Sequence, residues 1–382
     1  MLRRSFLRAV PAASAMGLGT SMWAWPTTTH AGSRVIRFGQ SASLSGGQAA
    51  YGQDMRTGIA AAFAAASAQE ATTGLRFELV ALDDGGLRAG CMKNVLALAD
   101  TDVVGLIGLT SGVGAEASLP VFEDARIALL GTASGNLGLR ASTVKNVFNV
   151  RVGHDAEYRR MVAYAKDFGL NRVGIVYMGD AAASNLNALK QSLADVNITP
   201  KVSVAIDRNA TNFDGAANEL LAARPDCVMF TTNAEPICKI TEAMSRAKYP
   251  GLYYASSYSG QALIDKLAAR QQSCVMSLVV PRPSSQATPV VAQCQRDLAL
   301  FTKDKDARLG VTTLEGYIVG RIAVEATHAA VASGRLSRAR FGEVLAGLRA
   351  DLGGFRVDFG GGSQGSRFVD LIALDRYGRL VG

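Results

Sequence analysis

Histidine, cysteine and aromatic residues are scarce in this chain of 382 residues, which has three histidines, five cysteines and 7% aromatic residues. No two histidines or cysteines lie at the spacing of metal ligands, which argues against the common zinc sites. His328 falls in an alanine-rich segment, and His154 is interpreted as the first residue of a helix, with exposure in a cleft as the alternative. We therefore expect no enzyme activity, no catalytic residue, no metal and no other cofactor.

Charge of either sign is also sparse. Charged residues make up 19% of the chain, and the net charge is +8. Three of the positive charges belong to Arg3, Arg4 and Arg8, and the other basic residues are scattered. No run of lysine and arginine is interleaved with aromatic residues, so we expect no nucleic-acid partner. A weak positive field toward an anionic ligand is the alternative to an ordinary solvated surface.

The first 31 residues have the composition of an export signal. Arg3 and Arg4 precede an uncharged apolar run over residues 9–25, followed by Thr29-His30-Ala31. This order predicts a twin-arginine signal peptide over residues 1–31, cleaved near Ala31, and a mature protein in the periplasm. The apolar run is shorter than the roughly 20 residues of a membrane span, and an uncleaved anchor is the alternative.

The five cysteines are too few for a disulfide-rich scaffold, and an odd number cannot all pair within one chain. Cys227 begins a predicted strand and Cys238 lies in the next helix, so these two are too far apart to bond. Cys274 and Cys294 are the more plausible pair. The alternative is that all five are small buried apolar residues.

Short apolar runs alternate with longer helical stretches from residue 34 onward, and the pattern restarts after residue 150. Runs that are apolar on both sides and separated by helices are typical of parallel sheets covered on both faces. Because the mature chain is also too long for one compact core, we predict an α/β fold. It has two doubly wound parallel-sheet lobes joined by a multi-strand hinge. The predicted strands are residues 35–38, 77–82, 103–107, 127–130, 147–150, 173–177, 202–206, 227–231 and 252–255, and the predicted helices include residues 51–67, 87–99, 113–125, 213–223 and 236–247.

The C-terminal part breaks this alternation. Three predicted helices follow one another without strands, and two strands come after them. We expect the helices to cover the first lobe and both strands to return to the second, so that the chain crosses a hinged cleft several times. Pro281 and Pro283 support the second crossing, since proline disrupts a helix or a central strand. The three predicted helices are residues 290–301, 314–333 and 340–348, and the two predicted strands are residues 355–357 and 368–374. The first lobe is predicted to comprise residues 34–150 and 281–350. The second lobe is predicted to comprise residues 151–280 and 351–382.

Three loops of the first lobe follow strands at the sheet edge where ligands bind in open α/β folds. They cover residues 43–51, 110–114 and 132–135, and they carry glycines and hydroxyls. Glycine permits close approach of the backbone, and the helix that follows offers unpaired N–H groups to a carboxylate. Ser111 and Ser134 each add a hydroxyl. Capping of the next helix is the alternative role of each serine, and the three loops together favour binding.

One pattern in the second loop is shared with dinucleotide-binding enzymes. Residues 112–117 read Gly-x-Gly-x-x-Ala between a predicted strand and a predicted helix. That fingerprint also needs an acidic residue at the end of the next strand, where this chain has Gly131 and Thr132. The evidence for a nicotinamide enzyme is therefore weak. Asp83 and Asp84 resemble a carboxylate pair and are interpreted as caps of the next helix.

Several short segments follow one another along the mature chain in a fairly specific order. They are Ile36-Arg37-Phe38-Gly39, Leu44-Ser45-Gly46, Tyr51-Gly52, Asp83-Asp84, residues 105–111, Pro120-Val121-Phe122-Glu123-Asp124, residues 133–140 and Val147-Phe148-Asn149-Val150-Arg151. The order resembles the type I periplasmic solute-binding proteins of ABC transporters, in the branched-chain amino-acid (leucine, isoleucine, valine) group. The resemblance implies a monomeric receptor that closes on a small solute and presents it to a membrane permease. A ligand-sensing subunit of a signalling complex and an exported enzyme are the alternatives.

The resemblance also implies a ligand site. In that family the first-lobe loops hold the carboxylate of the ligand, and an aromatic residue after the first strand lines the side-chain pocket. A turn of the second lobe faces the ligand from the other side. The residues of this chain implied to bind the ligand are Tyr51, Ser111, Gly112, Ala133, Ser134, Ser257 and Tyr258.

One departure from the family concerns the ligand's ammonium group. Branched-chain amino-acid binders place a glutamate against it, and the aligned residue here is Ser257. A buried ammonium without a counter-charge costs several kcal/mol, and a hydroxyl recovers only part of that. We therefore expect an organic acid, an amide or an aromatic acid to bind better than free leucine, unless Glu235 or Asp180 supplies the charge.

A second departure concerns the width of the pocket. Family members often carry an aromatic residue and a glycine in the stretch that here reads Asp-Ala-Ala-Ala, residues 180–183. Without the aromatic ring the pocket is expected to be wider. Tyr177 or Tyr258 is the alternative source of a ring that fills the space.

Overall fold

Strands and helices alternate in the computed structural model, which describes residues 34–180, 183–207, 210–302, 307–377 and 379–381. The predicted signal peptide, residues 1–31, lies outside the described residues. None of the described helices is both long enough and apolar enough to cross a bilayer. The strands are β1 (Arg34–Ala42), β2 (Leu75–Asp83), β3 (Gly105–Ile107), β4 (Leu129–Leu130), β5 (Val147–Phe148), β6 (Val173–Met178), β7 (Val202–Ile206), β8 (Cys227–Thr231), β9 (Leu252–Ala255), β10 (Cys274–Leu278), β11 (Arg349–Asp351), β12 (Arg356–Asp358), β13 (Asp370–Leu374) and β14 (Leu380–Val381). The helices are α1 (Ala49–Ser67), α2 (Glu70–Thr73), α3 (Arg88–Ala99), α4 (Gly112–Ala117), α5 (Leu119–Asp124), α6 (His154–Asp167), α7 (Ala183–Ala194), α8 (Asp214–Ala223), α9 (Ala234–Arg246), α10 (Gly260–Ala269), α11 (Pro289–Phe301), α12 (Val311–Ala332) and α13 (Arg338–Gly347).

Five parallel strands form the first sheet, in the order β2-β1-β3-β4-β5. The side chains of Ile36 and Phe38 on β1 are buried in a core that also contains residues of α1 and α12. Helix α12 approaches α1 closely at Gly58, where an added Cβ would lie 2.0 Å from the carbonyl oxygen of Thr313. Glycine permits this approach because it has no side chain. The long C-terminal helix therefore covers the first lobe, as predicted.

Seven strands form the second sheet, in the order β14-β13-β10-β9-β8-β6-β7. Strands β10, β9, β8, β6 and β7 pair with their neighbours in parallel. In contrast, β13 pairs antiparallel with β10, and β14 pairs antiparallel with β13. The predicted α/β fold of two parallel-sheet lobes is confirmed, with an antiparallel edge added to the second lobe. Strand β10 was not predicted from the sequence, although all five of its residues are buried.

The hairpin formed by β11 and β12 corrects the predicted path of the C-terminal part. Residues 355–357 were expected to return to the second lobe, and this prediction is wrong. Phe355, Val357 and Phe359 pack into the core of the first lobe, and β12 pairs with β11 in a separate two-stranded sheet. These apolar side chains alternate along the strand, which gives the hairpin one apolar face to bury. The chain joins the second sheet at β13 instead.

The first and last crossings between the lobes lie side by side. The N–H of Asn149 donates to the carbonyl of Ser363 at 2.7 Å, and the N–H of Gly365 donates to the carbonyl of Asn149 at 2.8 Å. The side-chain amide of Gln364 donates to the carbonyl of Arg151 at 2.7 Å. The lobes are therefore joined by segments bonded to each other, as a multi-strand hinge requires.

The predicted helix at residues 113–125 is two short helices, α4 and α5. Ser118 separates them, and its hydroxyl donates to the carbonyl of Gly114 at 2.8 Å. Pro120 lies in the first turn of α5. Proline has no N–H to donate and is tolerated only in the first turn of a helix, so it begins a new helix rather than continuing the old one.

All five cysteines are free and buried. The predicted pairing of Cys274 with Cys294 is wrong, because Cys274 packs in the core of the second lobe and Cys294 packs in the core of the first. Cys227 and Cys238 are likewise unpaired, as predicted. Burial raises the pKa of the Cys227 thiol to about 12. The cysteines are the small buried apolar residues of the alternative interpretation.

Candidate functional site

A cavity of about 200 Å³ lies between the two lobes. The first lobe contributes the loops that follow β3 and β4, and the second lobe contributes parts of α6, β6, α7 and the turn after β9. Pockets for drug-sized ligands are usually about 300–1,000 Å³, so this cavity fits a smaller solute. Its lining residues are Gln48, Gly86, Ser111, Gly112, Val113, Ser134, Asn136, His154, Tyr158, Tyr177, Met178, Gly179, Ala183, Asn185, Leu186, Thr231 and Tyr258.

The hydroxyls of Ser111 and Ser134 are positioned by local hydrogen bonds. Ser111 caps α4, with its Oγ accepting from the N–H of Gly114 at 3.1 Å. Ser134 Oγ accepts from the N–H of Asn136 at 3.3 Å. A serine hydroxyl that accepts one bond still has its own proton to donate. The capping interpretation is therefore correct for Ser111, and it leaves both hydroxyls able to donate to a ligand.

Gly112 lets the two serine loops touch. An added Cβ at Gly112 would lie 2.3 Å from Ser134 Oγ, far closer than side-chain atoms approach each other. The side-chain amide of Asn136 donates to the carbonyl of Gly112 at 3.0 Å and so ties the loops together. The first lobe thus presents Ser111, Gly112 and Ser134 to the cavity as one continuous surface.

Two of the predicted site residues, Tyr51 and Ala133, lie behind the cavity lining. The hydroxyl of Tyr51 donates to the carbonyl of Ala133 at 2.6 Å, and both residues are buried. The Tyr51 ring packs against the ring of Tyr258, with centroids 5.5 Å apart. Tyr258 lines the cavity instead, and its Oη accepts from Gln48 Nε2 of the first lobe at 2.9 Å. Tyr51 therefore supports a residue that bridges the lobes.

A buried cluster of charges that was not predicted from the sequence lies at the hinge. The guanidinium of Arg151 is 2.8 Å from Glu157 Oε1 and 3.4 Å from Glu315 Oε1, and its side chain is 1% exposed. Burial alone would raise the pKa of Glu157, but Arg151, His154 and Ser257 together outweigh burial and hold that pKa well below its usual range. Burial dominates at Glu315, whose pKa is raised.

Ser257 belongs to this hinge cluster rather than to the cavity lining. Its hydroxyl accepts from the Arg151 guanidinium, and its N–H donates to Glu157 Oε2 at 3.0 Å. The hydroxyl of Ser277 donates to the same carboxylate oxygen at 2.6 Å. The position at which the resemblance implies a ligand-binding glutamate is thus occupied by a residue that holds Glu157 in place.

Among the described residues that line the cavity, none is an aspartate, glutamate, lysine or arginine. Glu235, one predicted source of a negative charge, is bonded to Lys266 and lies 3.5 Å from Lys239. Asp180, the other, does not line the cavity, and its neighbours Ala181 and Ala182 lie outside the described residues. The described part of the chain also holds no group of three residues able to bind a metal.

The rings of Tyr158, Tyr177 and Tyr258 line the second-lobe side of the cavity. Tyr177 and Tyr258 are the two residues named as alternative sources of a ring. His154 begins α6, as the sequence predicted, and it also lines the cavity. Its ring stacks on that of Tyr158 with centroids 5.7 Å apart. The second lobe therefore offers aromatic surface to a solute.

Two sequence patterns that are typical of enzymes do not form an enzyme site. The pattern at residues 112–117 precedes β4, which ends at Leu130 and is followed by Gly131 instead of the acid that a ribose needs. Residues 361–365 read Gly-x-Ser-x-Gly, but they lie between β12 and β13, where no described helix follows. A nucleophile elbow requires a strand followed by a helix.

The sequence matches the family model "Periplasmic binding protein" over residues 35–369. The structure of a possible leucine/isoleucine/valine-binding protein from Rhodopirellula baltica SH 1 has a TM-score of 0.84 at 25% identity, covering 92% of this chain and 97% of that chain. A substrate-binding periplasmic protein from Ralstonia solanacearum has a TM-score of 0.83 at 24% identity, covering 91% and 99%.

A branched-chain amino-acid ABC transporter protein from Thermus thermophilus, with bound valine, has a TM-score of 0.83 at 14% identity. That alignment covers 92% of this chain and 95% of the Thermus chain, and at this identity it is evidence for the fold alone. A search of curated proteins finds no match.

Proposed function

The chain belongs to the periplasmic binding protein family, and from this premise we propose that it captures a small carboxylate solute for an ABC importer. In this proposal the protein works in the periplasm as a monomer, and a membrane permease receives the solute. The Thermus thermophilus protein of the same fold is described as a branched-chain amino-acid ABC transporter. The observation that carries the proposal is a cavity between the lobes lined by hydrogen-bond donors, without lysine, arginine, aspartate or glutamate among its described residues.

The carboxylate is held by neutral donors of the first lobe in this proposal. The hydroxyls of Ser111 and Ser134 each accept a bond from their own loop, which leaves their protons for the solute. Hydrogen bonds to an ionised acceptor are about twice as strong as neutral ones. A carboxylate therefore gains more from this surface than an uncharged group does.

In this proposal the part of the solute other than the carboxylate carries no ammonium group. Ser257 is engaged by Arg151 and Glu157, and Glu235 is engaged by Lys266. No carboxylate of the described lining is left to face a buried ammonium, which costs several kcal/mol when it is unpaired. An organic acid, an amide-bearing acid or an aromatic acid fits better than free leucine, and the tyrosine rings suit an apolar or aromatic body.

Closure of the lobes around the solute is the proposed mechanism. A solute shifts the equilibrium between open and closed states only if it makes contacts in one state that it lacks in the other. Here the serine loops belong to the first lobe, and Tyr158 and Tyr177 belong to the second. The bond between Gln48 and Tyr258 joins the same two lobes. A solute that touches both surfaces therefore stabilises the closed state.

The experiment that tests this function is identification of the solute that co-purifies with the protein. The protein is purified without added solutes and denatured mildly, and the released small molecules are analysed by mass spectrometry. We expect a carboxylate without a primary amine, in an amount close to that of the protein. Release of leucine, isoleucine or valine would contradict the proposed ligand class.

A further inference from the structure

His154 is the one residue of the described cavity lining that can become a cation near neutral pH. It lies directly against the loop that carries Ser134. The N–H of His154 donates to the carbonyl of Gly135 at 2.8 Å, and an added Cβ at Gly135 would lie 2.6 Å from His154 Nδ1. A carboxylate bound by Ser134 is therefore next to the imidazole ring.

The protonation of the ring follows from its partner Glu157. His154 Nδ1 is 3.2 Å from Glu157 Oε1, and that carboxylate is ionised because Arg151 keeps its pKa low. An ionised carboxylate only accepts, so Nδ1 carries a proton and donates it. In the neutral ring Nε2 is then an unprotonated acceptor, on a residue that lines the cavity.

In the absence of solute the surroundings of the ring favour its neutral form. Burial lowers the pKa of the His154 imidazole, although the bond to Glu157 acts in the opposite direction. Charged groups of both signs surround the ring. The titratable and charged groups around His154 are Asp155, Glu157 and Tyr158 on its own helix, Arg151 at the crossing, Arg140 in the loop after β4, Glu315 on α12 and Tyr258 in the turn after β9.

We propose that His154 takes up one proton when an anionic solute binds, so that the protein captures a carboxylate together with a proton from solvent. The inference rests on the proposed function, because it needs a carboxylate at Ser134. The proton adds to Nε2, while the proton on Nδ1 stays bonded to Glu157. The N–H bond forms as the proton leaves hydronium or a buffer acid, and no bond of the solute or of the protein breaks.

The physical reason is that a neutral ring and a carboxylate would meet as two acceptors. Protonation turns Nε2 into a donor and replaces that repulsion with a charge-assisted hydrogen bond. A nearby negative charge raises the pKa of a histidine, so the solute offsets the effect of burial. The two arginines near the ring do not fill this role. Arg151 is engaged by Glu157 and Glu315, and Arg140 donates to the carbonyls of Ser134, Asn136, Arg151 and Val152.

The test is calorimetry of the full-length mature protein with benzoate, 4-hydroxybenzoate, phenylacetate and 4-methyl-2-oxopentanoate at pH 7. Each titration is run in phosphate and in Tris, whose ionisation enthalpies differ, so that the protons taken up can be counted. We expect uptake of about one proton per bound solute. As the pH falls between the bound and free pKa values, affinity should increase about tenfold per pH unit.

His154→Gln should abolish proton uptake and weaken binding while leaving an affinity independent of pH. His328→Gln is the matched control, because His328 lies on α12 and does not line the cavity. The His328→Gln variant should keep both the proton uptake and the solute affinity of the unsubstituted protein. In the unsubstituted protein, an NMR titration of the His154 ring should show a higher pKa with solute than without it.

The outcomes separate this inference from the proposed function. If a carboxylate binds without proton uptake, or if the His154 pKa is the same with and without solute, the inference is wrong and the proposed function stands. Uptake that persists in His154→Gln would also overturn it. If none of the four carboxylates binds, the proposed ligand class fails and the inference fails with it.

Discussion

The cleft and the hinge behind it use opposite chemistries. The described cleft lining presents hydroxyls, amides and aromatic rings, and His154 is its only potential cation at neutral pH. The hinge buries the Arg151 guanidinium in contact with both Glu157 and Glu315. The comparison teaches that the strongest charges near this site join the lobes, and that the described cleft lining offers a solute uncharged polar groups, aromatic rings and the imidazole of His154.

The largest effect is expected from breaking the hinge cluster. Glu157→Ala leaves Arg151 buried with one weaker partner, and loss of one member of a buried ion pair costs about 3–5 kcal/mol. Urea denaturation followed by circular dichroism measures the loss. The control is Glu343→Ala, which removes an exposed pair with Arg340. Such surface pairs contribute at most about 1 kcal/mol. Equal losses in the two variants would contradict the role given to the hinge.

The next largest effect is expected on the neutral donors of the cleft. Ser134→Ala removes a hydroxyl that we propose donates to the carboxylate, and a hydrogen bond to a charged group is worth about 1.5–3 kcal/mol. Affinity for the co-purified solute should fall about 10- to 100-fold, while the melting temperature of the empty protein barely changes. Calorimetry and differential scanning fluorimetry measure the two quantities.

Ser111 and Ser337 sharpen this prediction because both cap a helix. Ser337 Oγ accepts from the N–H of Arg340 at 3.2 Å, on a helix that does not line the cavity. Each alanine variant should lose about 0.5–2 kcal/mol of stability with its cap. Only Ser111→Ala should also lose affinity. If Ser111→Ala keeps full affinity, capping is the whole role of that serine.

The smallest effect is expected from Glu235. Its carboxylate is bonded to Lys266 and is 38% exposed. Glu235→Gln should leave solute affinity unchanged, because the residue does not line the cavity, and it should change stability by less than about 1 kcal/mol. A loss of affinity in this variant would show that the cleft does contain a counter-charge for an ammonium group.

Local patterns account for what the sequence predicted correctly. Strands β7, β8 and β9 have the predicted bounds, because apolar runs between helices are a local signal. Ser111 and Ser134 line the cavity, as expected for residues where strands of an open sheet end, and their binding of a ligand stays a prediction. Both features depend only on residues close together in the chain.

The hinge cluster depends on contacts that no local pattern reveals. Arg151 and Glu315 are 164 residues apart in sequence, and Arg151 and Ser257 are 106 apart. The one available hint was the spacing of His154 and Glu157, which lie on the same face of α6. The false disulfide has the same cause, since Cys274 and Cys294 are close in sequence but belong to different cores.

The most direct test of whether the cleft lacks a counter-charge for an ammonium group compares two solutes that share one carbon skeleton. Calorimetry with leucine and with 4-methyl-2-oxopentanoate, in which a ketone replaces the ammonium, isolates that single group. We expect the oxo acid to bind more than tenfold tighter, a difference of at least about 1.4 kcal/mol. Tighter binding of leucine, retained in Glu235→Ala and in Asp180→Ala, would contradict the account.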